Sequence, residues 1–272
     1  APVSKRWLKF WENFSPEDMI WVKQNPSRLD PTQRFRNCIE MPIEEFCDQI
    51  LPKLGIREKT EWTEQWMGES KKIENQIEKF SLEETRISEM LLVRQLTENI
   101  PKNHALFIGN SLPVREIDFY GSGKGAYVPI GLNRGASGID GLVASATGFT
   151  KGLNRPLTLL LGDISLLHDL NSIKLIAESS QPIVLIVLNN HGGGIFSFLP
   201  ISEYEDVFES YFSTPHSLEF EYAAKMFELP YFIPKSLEQF RTIYLERVKS
   251  DSSCIIEIKT SKDDNVRLQK EW

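Results

Sequence analysis

The chain of 272 residues is long enough for one large or two ordinary domains with a substantial core. Its composition, 41% hydrophobic and 25% charged, is typical of a soluble globular protein. The net charge of −7 argues against broad nucleic-acid binding, which usually needs a basic face. An anionic ligand would therefore have to be held by local groups, such as a few arginines, a metal ion or helix N-termini.

The cysteines and the apolar runs exclude further classes of protein. The three cysteines lie far apart with no C-x-x-C pair, so a zinc site or a disulfide framework is not expected and a reducing compartment fits best. The longest apolar run, 182–188, is far too short to span a membrane. No signal peptide is recognised, and the chain starts at Ala1 with an amphipathic pattern already under way. We therefore expect a fragment of a longer protein.

The first third of the chain is predicted to contain short elements. A helix is expected over residues 3–13, a strand over 19–22 and a loop over 26–31. Helical periodicity runs from Ile43 to Leu54, with Pro42 near its start. The highly charged stretch 57–79 is typical of a solvated helix or linker.

From about Ser81 the pattern becomes a regular alternation of helices with continuous apolar strands. Such an alternation predicts an α/β fold, with a buried parallel sheet covered by helices on both faces. Gly-rich segments occupy 121–141. The other predicted elements are a helix over 81–99, a strand over 105–108, helices over 113–119 and 142–152, a strand over 157–161, a helix ending at 177 and a strand over 183–188.

Polar loops follow the predicted strands, starting at Gly109, Gly162 and Asn189. Because ligands bind beyond the carboxyl ends of parallel strands, these three loops are expected to converge on one crevice. No G-x-G-x-x-G follows a strand, which lowers the case for a dinucleotide site.

Two of these loops carry candidate metal ligands. One crossover helix fits between Asp163 and Asn190, so adjacent parallel strands would bring both side chains together. With a backbone carbonyl from Gly192 they form an all-oxygen half-shell that suits Mg²⁺ or Ca²⁺. Ser165, at the start of the next helix, could cap that helix or bind a phosphate. Either motif alone would be an ordinary turn or strand end, and it is the pair that indicates a metal site.

Gly162-Asp163 followed by Asn189-Asn190 resembles the thiamine-diphosphate signature, usually Gly-Asp-Gly and then Asn-Asn. Ile164 departs from that pattern. Segments 109–115, 133–141 and 195–200 are similar to one branch, the 2-succinyl-5-enolpyruvyl-6-hydroxy-3-cyclohexene-1-carboxylate (SEPHCHC) synthases of menaquinone biosynthesis. That branch commonly has an aliphatic residue where Ile164 stands.

The resemblance implies a thiamine-diphosphate-binding fold. Residues 56–272 would form the diphosphate- and metal-binding domain, with a charged helical lead-in at 56–80. Residues 1–55 would be the end of a central α/β domain, because Lys5-Arg6 and 28–31 resemble that part of the family.

The resemblance also implies an activity and its ligands. The cofactors would be thiamine diphosphate and Mg²⁺ (or Mn²⁺). The reaction would decarboxylate 2-oxoglutarate and add the resulting succinyl carbanion to isochorismate. The full-length protein would be a homodimer or homotetramer, in the cytoplasm or, in a photosynthetic eukaryote, in an organelle.

Individual residues are implied by their places in the family motifs. Ser111, Arg115 and Arg134 would surround the unit derived from 2-oxoglutarate, and carboxylate binding by arginine is physically sensible there. Lys5 and Arg6 would face the second substrate. An apolar wall would consist of Ile195, Phe196 and Leu199, and Ile139 would support the bent cofactor. The implied cofactor contacts are Gly138, Ile139, Gly162, Asp163, Ser165, Asn190 and Gly192, with Asp163, Asn190 and Gly192 also binding the metal.

Other interpretations stay open at this point. No segment resembles the family's pyrimidine-binding domain with its activating glutamate, so the chain alone is expected to be inactive or nearly so. A different carboligase, such as an acetolactate-synthase-like enzyme, or a non-catalytic diphosphate-binding remnant are the alternatives. His191 is expected to point away from the metal, and His104, His168 and His216 are interpreted as structural or surface residues.

Overall fold

A computed structural model of the chain describes residues 9–10, 13, 20–25, 35, 37–56, 58–84 and 86–271. The chain forms two compact units, residues 1–74 and residues 75–272. The helix predicted over 3–13 and the loop predicted over 26–31 fall largely or wholly outside the described residues. The domain boundary expected between residues 55 and 56 stays a prediction.

The described part of the first unit contains a small parallel sheet. Strand β1 (Ile20–Lys23) pairs with β2 (Asn37–Glu40), and it covers the described residues 20–22 of the strand predicted over 19–22. Helix α1 (Ile43–Ile50) begins after Pro42, as predicted. It changes into a 3₁₀ turn at Leu51–Lys53, where Pro52 cannot donate the backbone hydrogen bond that an α-helix needs.

Two helices occupy the stretch where one was predicted to start at Ser81. Helix α2 (Glu61–Glu83) is mostly exposed, and α3 (Glu89–Asn99) is mostly buried. The prediction of a single helix over 81–99 is wrong at its start. The reason is local: Ser88 is extended and its Oγ accepts a hydrogen bond from the backbone N of Leu91 at 3.3 Å, which caps a new helix.

The second unit is built on a parallel sheet of six strands, in the order β4-β3-β5-β6-β8-β7. This sheet confirms the predicted fold class. The strands β4 and β8 were not predicted, and neither was the short β7. The strands are β3 (Ala105–Ile108), β4 (Ile130–Leu132), β5 (Leu157–Gly162), β6 (Ile183–Asn189), β7 (Tyr231–Phe232) and β8 (Cys254–Lys259).

Helices connect these strands and cover the sheet. In the described residues none of them has the length and apolar character needed to cross a membrane. The helices are α4 (Leu112–Tyr120), α5 (Leu142–Leu153), α6 (Asp163–His168), α7 (Ile173–Ala177), α8 (Glu205–Phe208), α9 (Glu221–Met226), α10 (Leu237–Arg247) and α11 (Lys262–Glu271). Short 3₁₀ turns lie at Leu170–Ser172, Gly194–Phe198 and Pro200–Glu203, and a π-helical turn lies at Glu209–Ser213.

The core has two parts, one on each face of the sheet. Helices α3, α4 and α10 pack on one face, and α5, α7 and α9 pack on the other. Strands β5, β6 and β8 are buried along nearly their whole length. Their continuous apolar sequences follow from this double burial.

The strand order creates a crevice at the carboxyl edge of the sheet. The chain passes from β3 to the edge strand β4 and then crosses back to β5 on the other side of β3. Such a change of direction opens a space beyond the strand ends. The strands β5 and β6 are in register with Gly162 opposite Leu188, so the loops that follow them start side by side.

Candidate active site

A cavity of about 130 Å³ lies at the carboxyl ends of β5 and β6. It collects residues from six separate stretches of the chain, so the loops predicted to converge do so. Its lining includes these residues singled out in the sequence: Ser111, Ile139, Gly162, Asp163, Ser165, Asn190, Gly192, Ile195 and Phe196.

Asp163 is the first residue of α6 and is buried at the cavity wall. Its Oδ2 accepts hydrogen bonds from the backbone N of Gly192 at 3.0 Å and from Nε2 of His216 at 3.1 Å. Its Oδ1 accepts from the backbone N of Ile164 at 2.7 Å. Burial raises the pKa of Asp163, although the two N–H groups oppose the rise. Of about four lone-pair positions on a carboxylate, one remains, on Oδ1.

His216 was interpreted as structural or surface, and its contact with Asp163 makes the surface interpretation wrong. The backbone N of Leu218 donates to His216 Nδ1 at 3.2 Å. Since that nitrogen accepts, the ring proton is on Nε2 and is donated to Asp163. The imidazole therefore fixes the orientation of the carboxylate that was predicted to bind the metal.

The two asparagines at the end of β6 have different surroundings. The Asn189 side chain is fully buried, and its Nδ2 donates to Glu257 Oε1 at 2.7 Å and to the carbonyl of Leu218 at 3.0 Å. Its Oδ1 accepts from the backbone N of His191. Asn190 Oδ1, by contrast, is buried and has no hydrogen-bond partner among the residues that the structure describes. Asn189 therefore holds the loop, and Asn190, which lines the cavity, has an oxygen that no described residue uses.

The glycines after Asn190 let the backbone approach its neighbours closely. Gly192 has a φ of 147°, and a Cβ there would lie 2.4 Å from the carbonyl oxygen of Ser213. A Cβ on Gly194 would lie 2.8 Å from Nδ2 of Asn190. Both positions exclude a side chain. The Gly192 carbonyl accepts from the backbone N of Gly194 at 2.9 Å, which leaves one of its two lone pairs.

A buried pair of carboxyl groups lies behind Asn190. Glu89 Oε1 accepts from Asn190 Nδ2 at 3.1 Å and from Thr260 Oγ1 at 2.6 Å. Glu116 is buried against Glu89, and burial together with the charge of Glu89 and a hydrogen bond to it raises the pKa of Glu116 well above its usual range. One proton shared by the two groups satisfies oxygens that two carboxylates would leave unpaired.

The Gly-rich segment 133–141 is attached to the end of β3 by Asn110. The Asn110 side chain donates to the carbonyls of Asn133 at 3.0 Å and Gly138 at 2.6 Å. Its Oδ1 accepts from Nη1 of Arg134 at 3.0 Å. Most of the segment is exposed, and Asn133, Ile139 and Gly141 are half-buried. Asn110 therefore sets the position of both Arg134 and the backbone beside Ile139.

Arg115 and Arg134 are close enough to repel each other. Partial burial lowers the pKa of Arg115, and the positive charge of Arg134 lowers it further. Arg115 Nη1 donates to the carbonyl of Ser111 at 2.5 Å. Neither guanidinium forms an ion pair with an acidic side chain in the described part of the chain. Two such neighbouring cations suit an anionic ligand.

The N-terminus of α5 is already capped. Asp169 Oδ2 accepts from the backbone N of Val143 at 2.8 Å and of Ala144 at 3.1 Å, and its Oδ1 accepts from Ser172 Oγ. The same residue ends α6, so the helix predicted to run to Ala177 is broken. The Asp169 carboxylate thus occupies N–H groups at the N-terminus of α5, to which a diphosphate could otherwise bind.

Several predicted residues lie elsewhere. Leu199 is 44% exposed and does not line the cavity. Ser165 does not cap α6, because Gly162 is the N-cap and Ser165 lies within the first turn. Arg115, Arg134 and Gly138 are exposed beside the cavity and not in its lining. Lys5 and Arg6 are outside the described residues.

Sequence reasoning did not find Glu89, Asn110, Glu116 or Asp169. Asn110 could have been predicted, because it lies in Gly-Asn-Ser directly after a predicted strand, where ligand-binding loops begin. In the sequence, Glu89 and Glu116 look like ordinary carboxylates of helices. Their roles depend on partners that only the fold brings together.

Comparison with known proteins agrees with the motifs. A family model described as "Middle domain of thiamine pyrophosphate" matches residues 2–108. A protein of Salinibacter ruber is 39% identical over 97% of this chain and 44% of its own length. A protein of Rubrobacter xylanophilus is 38% identical over 100% of this chain and 47% of its own length. Both are named 2-succinyl-5-enolpyruvyl-6-hydroxy-3-cyclohexene-1-carboxylate synthase.

A more distant relative gives the same result. A protein of Bacillus pumilus with that name is 33% identical over 99% of this chain and 46% of its own length. The chain thus spans a little under half the length of these curated relatives. Over nearly its whole length the chain is similar to proteins named SEPHCHC synthase, and residues 2–108 match a model of a thiamine-pyrophosphate enzyme domain.

Proposed function

We propose that the chain supplies the metal-, diphosphate- and 2-oxoglutarate-binding part of a synthase that makes SEPHCHC for menaquinone. The reaction is decarboxylation of 2-oxoglutarate followed by addition of the succinyl carbanion to isochorismate. The observation that carries the proposal is the meeting of Asp163, Asn190 and Gly192 at one cavity, with the Asn190 oxygen unused by the described residues. The proposed product is the one for which the two bacterial relatives are named.

The donor set fits a hard divalent cation. Asp163 Oδ1, Asn190 Oδ1 and the Gly192 carbonyl are three oxygens with lone pairs to spare, and Mg²⁺ or Mn²⁺ would complete its shell with phosphate oxygens and water. Within the described residues no cluster of three His, Cys, Asp or Glu side chains competes for a metal. The backbone next to Gly162 and the Ser165 hydroxyl lie at the same cavity and would contact the diphosphate.

The cavity is small for a whole cofactor. Small-molecule pockets usually enclose about 300–1,000 Å³, whereas this one is about 130 Å³. The described residues would therefore enclose the charged end of thiamine diphosphate, with Ile139 against its middle. When bound, the cofactor supplies the electron sink for decarboxylation.

The remaining site residues would handle the substrates. Arg115 and Arg134 would bind the carboxylates of 2-oxoglutarate, with Ser111 beside them. Ile195 and Phe196 line the cavity and would exclude water from the reacting carbon. Leu199 would extend that wall at its exposed side, and Lys5 and Arg6 would face isochorismate.

The domain organisation and the location are inferred from the resemblance. We propose that residues 1–55 end a central domain and that 56–272 form the diphosphate-binding domain. The assembled enzyme would be a homodimer or homotetramer in the cytoplasm.

The test is a substrate comparison in the intact protein that contains this chain. Arg115→Gln and Arg134→Gln should each lower kcat/KM for 2-oxoglutarate by about tenfold to a hundredfold, because each removes a charged hydrogen bond to a carboxylate. Arg155→Gln is the control, since Arg155 is exposed before β5, at the opposite edge of the sheet. A wild-type preference for pyruvate would favour an acetolactate-synthase-like enzyme. Failure to bind thiamine diphosphate with Mg²⁺ would favour a non-catalytic remnant.

A further inference from the structure

We propose that Glu89 is a positioning residue that turns the Asn190 amide so that its oxygen faces the metal. The inference rests on the proposed metal site and adds a residue to it. Glu89 is the first residue of α3, far from Asn190 in sequence, and it touches none of the three proposed ligands except Asn190 in the hydrogen bonds of the described residues.

An asparagine amide can bind in two orientations that differ by exchange of its oxygen and nitrogen. Only the nitrogen can donate to a carboxylate, which accepts and cannot donate. Asn190 Nδ2 donates to Glu89 Oε1 at 3.1 Å, which leaves Oδ1 as the buried atom without a partner in the described chain. The opposite orientation would place two oxygens against each other. Glu89 therefore selects the orientation that a cation needs.

Glu89 is itself held in one position. Its Oε1 also accepts from Thr260 Oγ1 at 2.6 Å, so both lone pairs of that oxygen are used. Thr260 directly follows β8, and its backbone N donates to the carbonyl of Asn189 at 3.0 Å. The Glu89 carboxylate also lies in the first turn of α3, where the positive end of a helix stabilises it. The Thr260 hydroxyl and the helix N-terminus thus hold the Glu89 carboxylate, and Glu89 is only 1% exposed.

The test measures binding of Mn²⁺ in the presence of thiamine diphosphate, by electron paramagnetic resonance of free Mn²⁺, on the intact protein. Glu89→Met, which keeps the volume and removes the acceptor, should weaken Mn²⁺ binding about tenfold to a hundredfold. Glu89→Gln keeps an oxygen that can accept from Asn190 and should bind within about threefold of the wild type. Wild-type binding by Glu89→Met, or equal losses in both variants, would overturn the proposal.

A double-variant cycle separates positioning from a general structural role. Asn190→Ala should weaken Mn²⁺ binding strongly, and adding Glu89→Met to it should cost less than about twofold more. A full additional loss would mean that Glu89 acts on the fold and not through Asn190. If Asn190→Ala binds Mn²⁺ normally, the proposed metal site itself fails. If Asn190→Ala binds Mn²⁺ poorly while Glu89→Met binds it normally, the metal site stands and only the positioning role of Glu89 fails.

Discussion

The loops after β5 and β6 differ sharply from the Gly-rich segment 133–141, although both border the same cavity. In the first region Asp163, Asn189 and Gly192 are buried. The backbone N of Gly192 donates to Asp163 at 3.0 Å, and Asn189 donates to Glu257 at 2.7 Å. The second region is mostly exposed and depends on Asn110, with further bonds from Asn133 Nδ2 to Ser145 Oγ and from the backbone N of Ser145 to the carbonyl of Gly141.

The difference matches the two ligands proposed for these regions. A divalent cation needs its oxygens within a few tenths of an ångström, so its loop must be formed before it arrives. A flexible dicarboxylate can be bound by long arginine side chains on a segment that adjusts. We expect changes in the buried loops to cost more stability than changes in the exposed segment. Gly192→Ala and Asn110→Ala test this expectation, and substitutions of Glu116 and Leu199, with smaller effects, test residues behind and beside the cavity.

Gly192→Ala should have the largest effect. The φ of 147° and the Cβ distance of 2.4 Å to the Ser213 carbonyl require the backbone to move. We expect a loss of about 3 kcal/mol in the free energy of unfolding, with loss of Mn²⁺ binding. Gly135→Ala in the exposed segment, where a Cβ meets nothing within 4 Å, should change stability by less than about 0.5 kcal/mol. Urea denaturation measures the free energy of unfolding of both variants. Equal losses in the two would contradict the expected difference between the two regions.

Asn110→Ala should have an intermediate effect that is confined to the exposed segment. It removes three hydrogen bonds, to Asn133, Gly138 and Arg134, at a cost of about 2 kcal/mol. Hydrogen exchange should accelerate over 133–141 and stay unchanged at the loops after β5 and β6. The exposed Asn103 gives the control variant Asn103→Ala. Faster exchange at Asp163 and Gly192 would show that the two regions are coupled.

Glu116→Gln should stabilise the protein, and more so at higher pH. Burial and Glu89 raise the pKa of Glu116, so the folded state keeps a proton that the unfolded state loses above the ordinary carboxyl pKa of about 4.3. This group's contribution to stability is complete below that pH and falls as the pH rises.

Glutamine cannot lose that proton, so between about pH 5 and about pH 8 the gain should grow, by at most about 1.4 kcal/mol per pH unit, until the pH passes the raised pKa of Glu116. Urea denaturation across this pH range is the measurement. Asp118→Asn, at an exposed position of the same helix, should leave the pH profile unchanged. A gain that is constant with pH would mean that Glu116 is ionised in the folded protein.

Leu199→Ala should have the smallest effect. Leu199 is exposed and does not line the cavity, so its truncation should change stability by less than about 0.5 kcal/mol. Phe196→Ala is the comparison, because Phe196 lines the cavity and its ring lies 5.6 Å from that of Phe212. We expect Phe196→Ala to cost more in stability and to lower kcat/KM for 2-oxoglutarate. Equal effects in thermal unfolding would mean that Leu199 packs more tightly than its exposure indicates.

The fold was predictable where burial leaves a continuous pattern. Strands β5 and β6 are apolar runs followed by Asp163 and Asn190, so both the strands and their adjacency could be inferred from one crossover. Strand β4 was missed because it has only three residues and lies at the sheet edge within Gly-rich sequence. Neither face of so short a strand shows a recognisable pattern of apolar residues. The break before Ser88 was missed because the residues on both sides of it favour helix.

The site was predictable where a motif carries its chemistry in adjacent residues. Asp163 and Asn190 belong to such motifs. Glu89 and His216 act on them through contacts between distant parts of the chain, at 3.1 Å in each case, and no local pattern specifies such partners. Ser165 was assigned to the helix cap because the sequence does not reveal that the helix starts at Asp163 itself.

Glu257 of β8 has a consequence for how the protein is made. Its carboxylate accepts hydrogen bonds from Asn189 Nδ2, the backbone N of Phe220 and the Tyr231 hydroxyl. Strand β8 inserts between β6 and β7, yet it is the last strand of this sheet to leave the ribosome. Until it does, Asn189 lacks its carboxylate partner and β6 has an open edge. The loop proposed to bind the metal is therefore completed late in synthesis, although most of its residues are made much earlier.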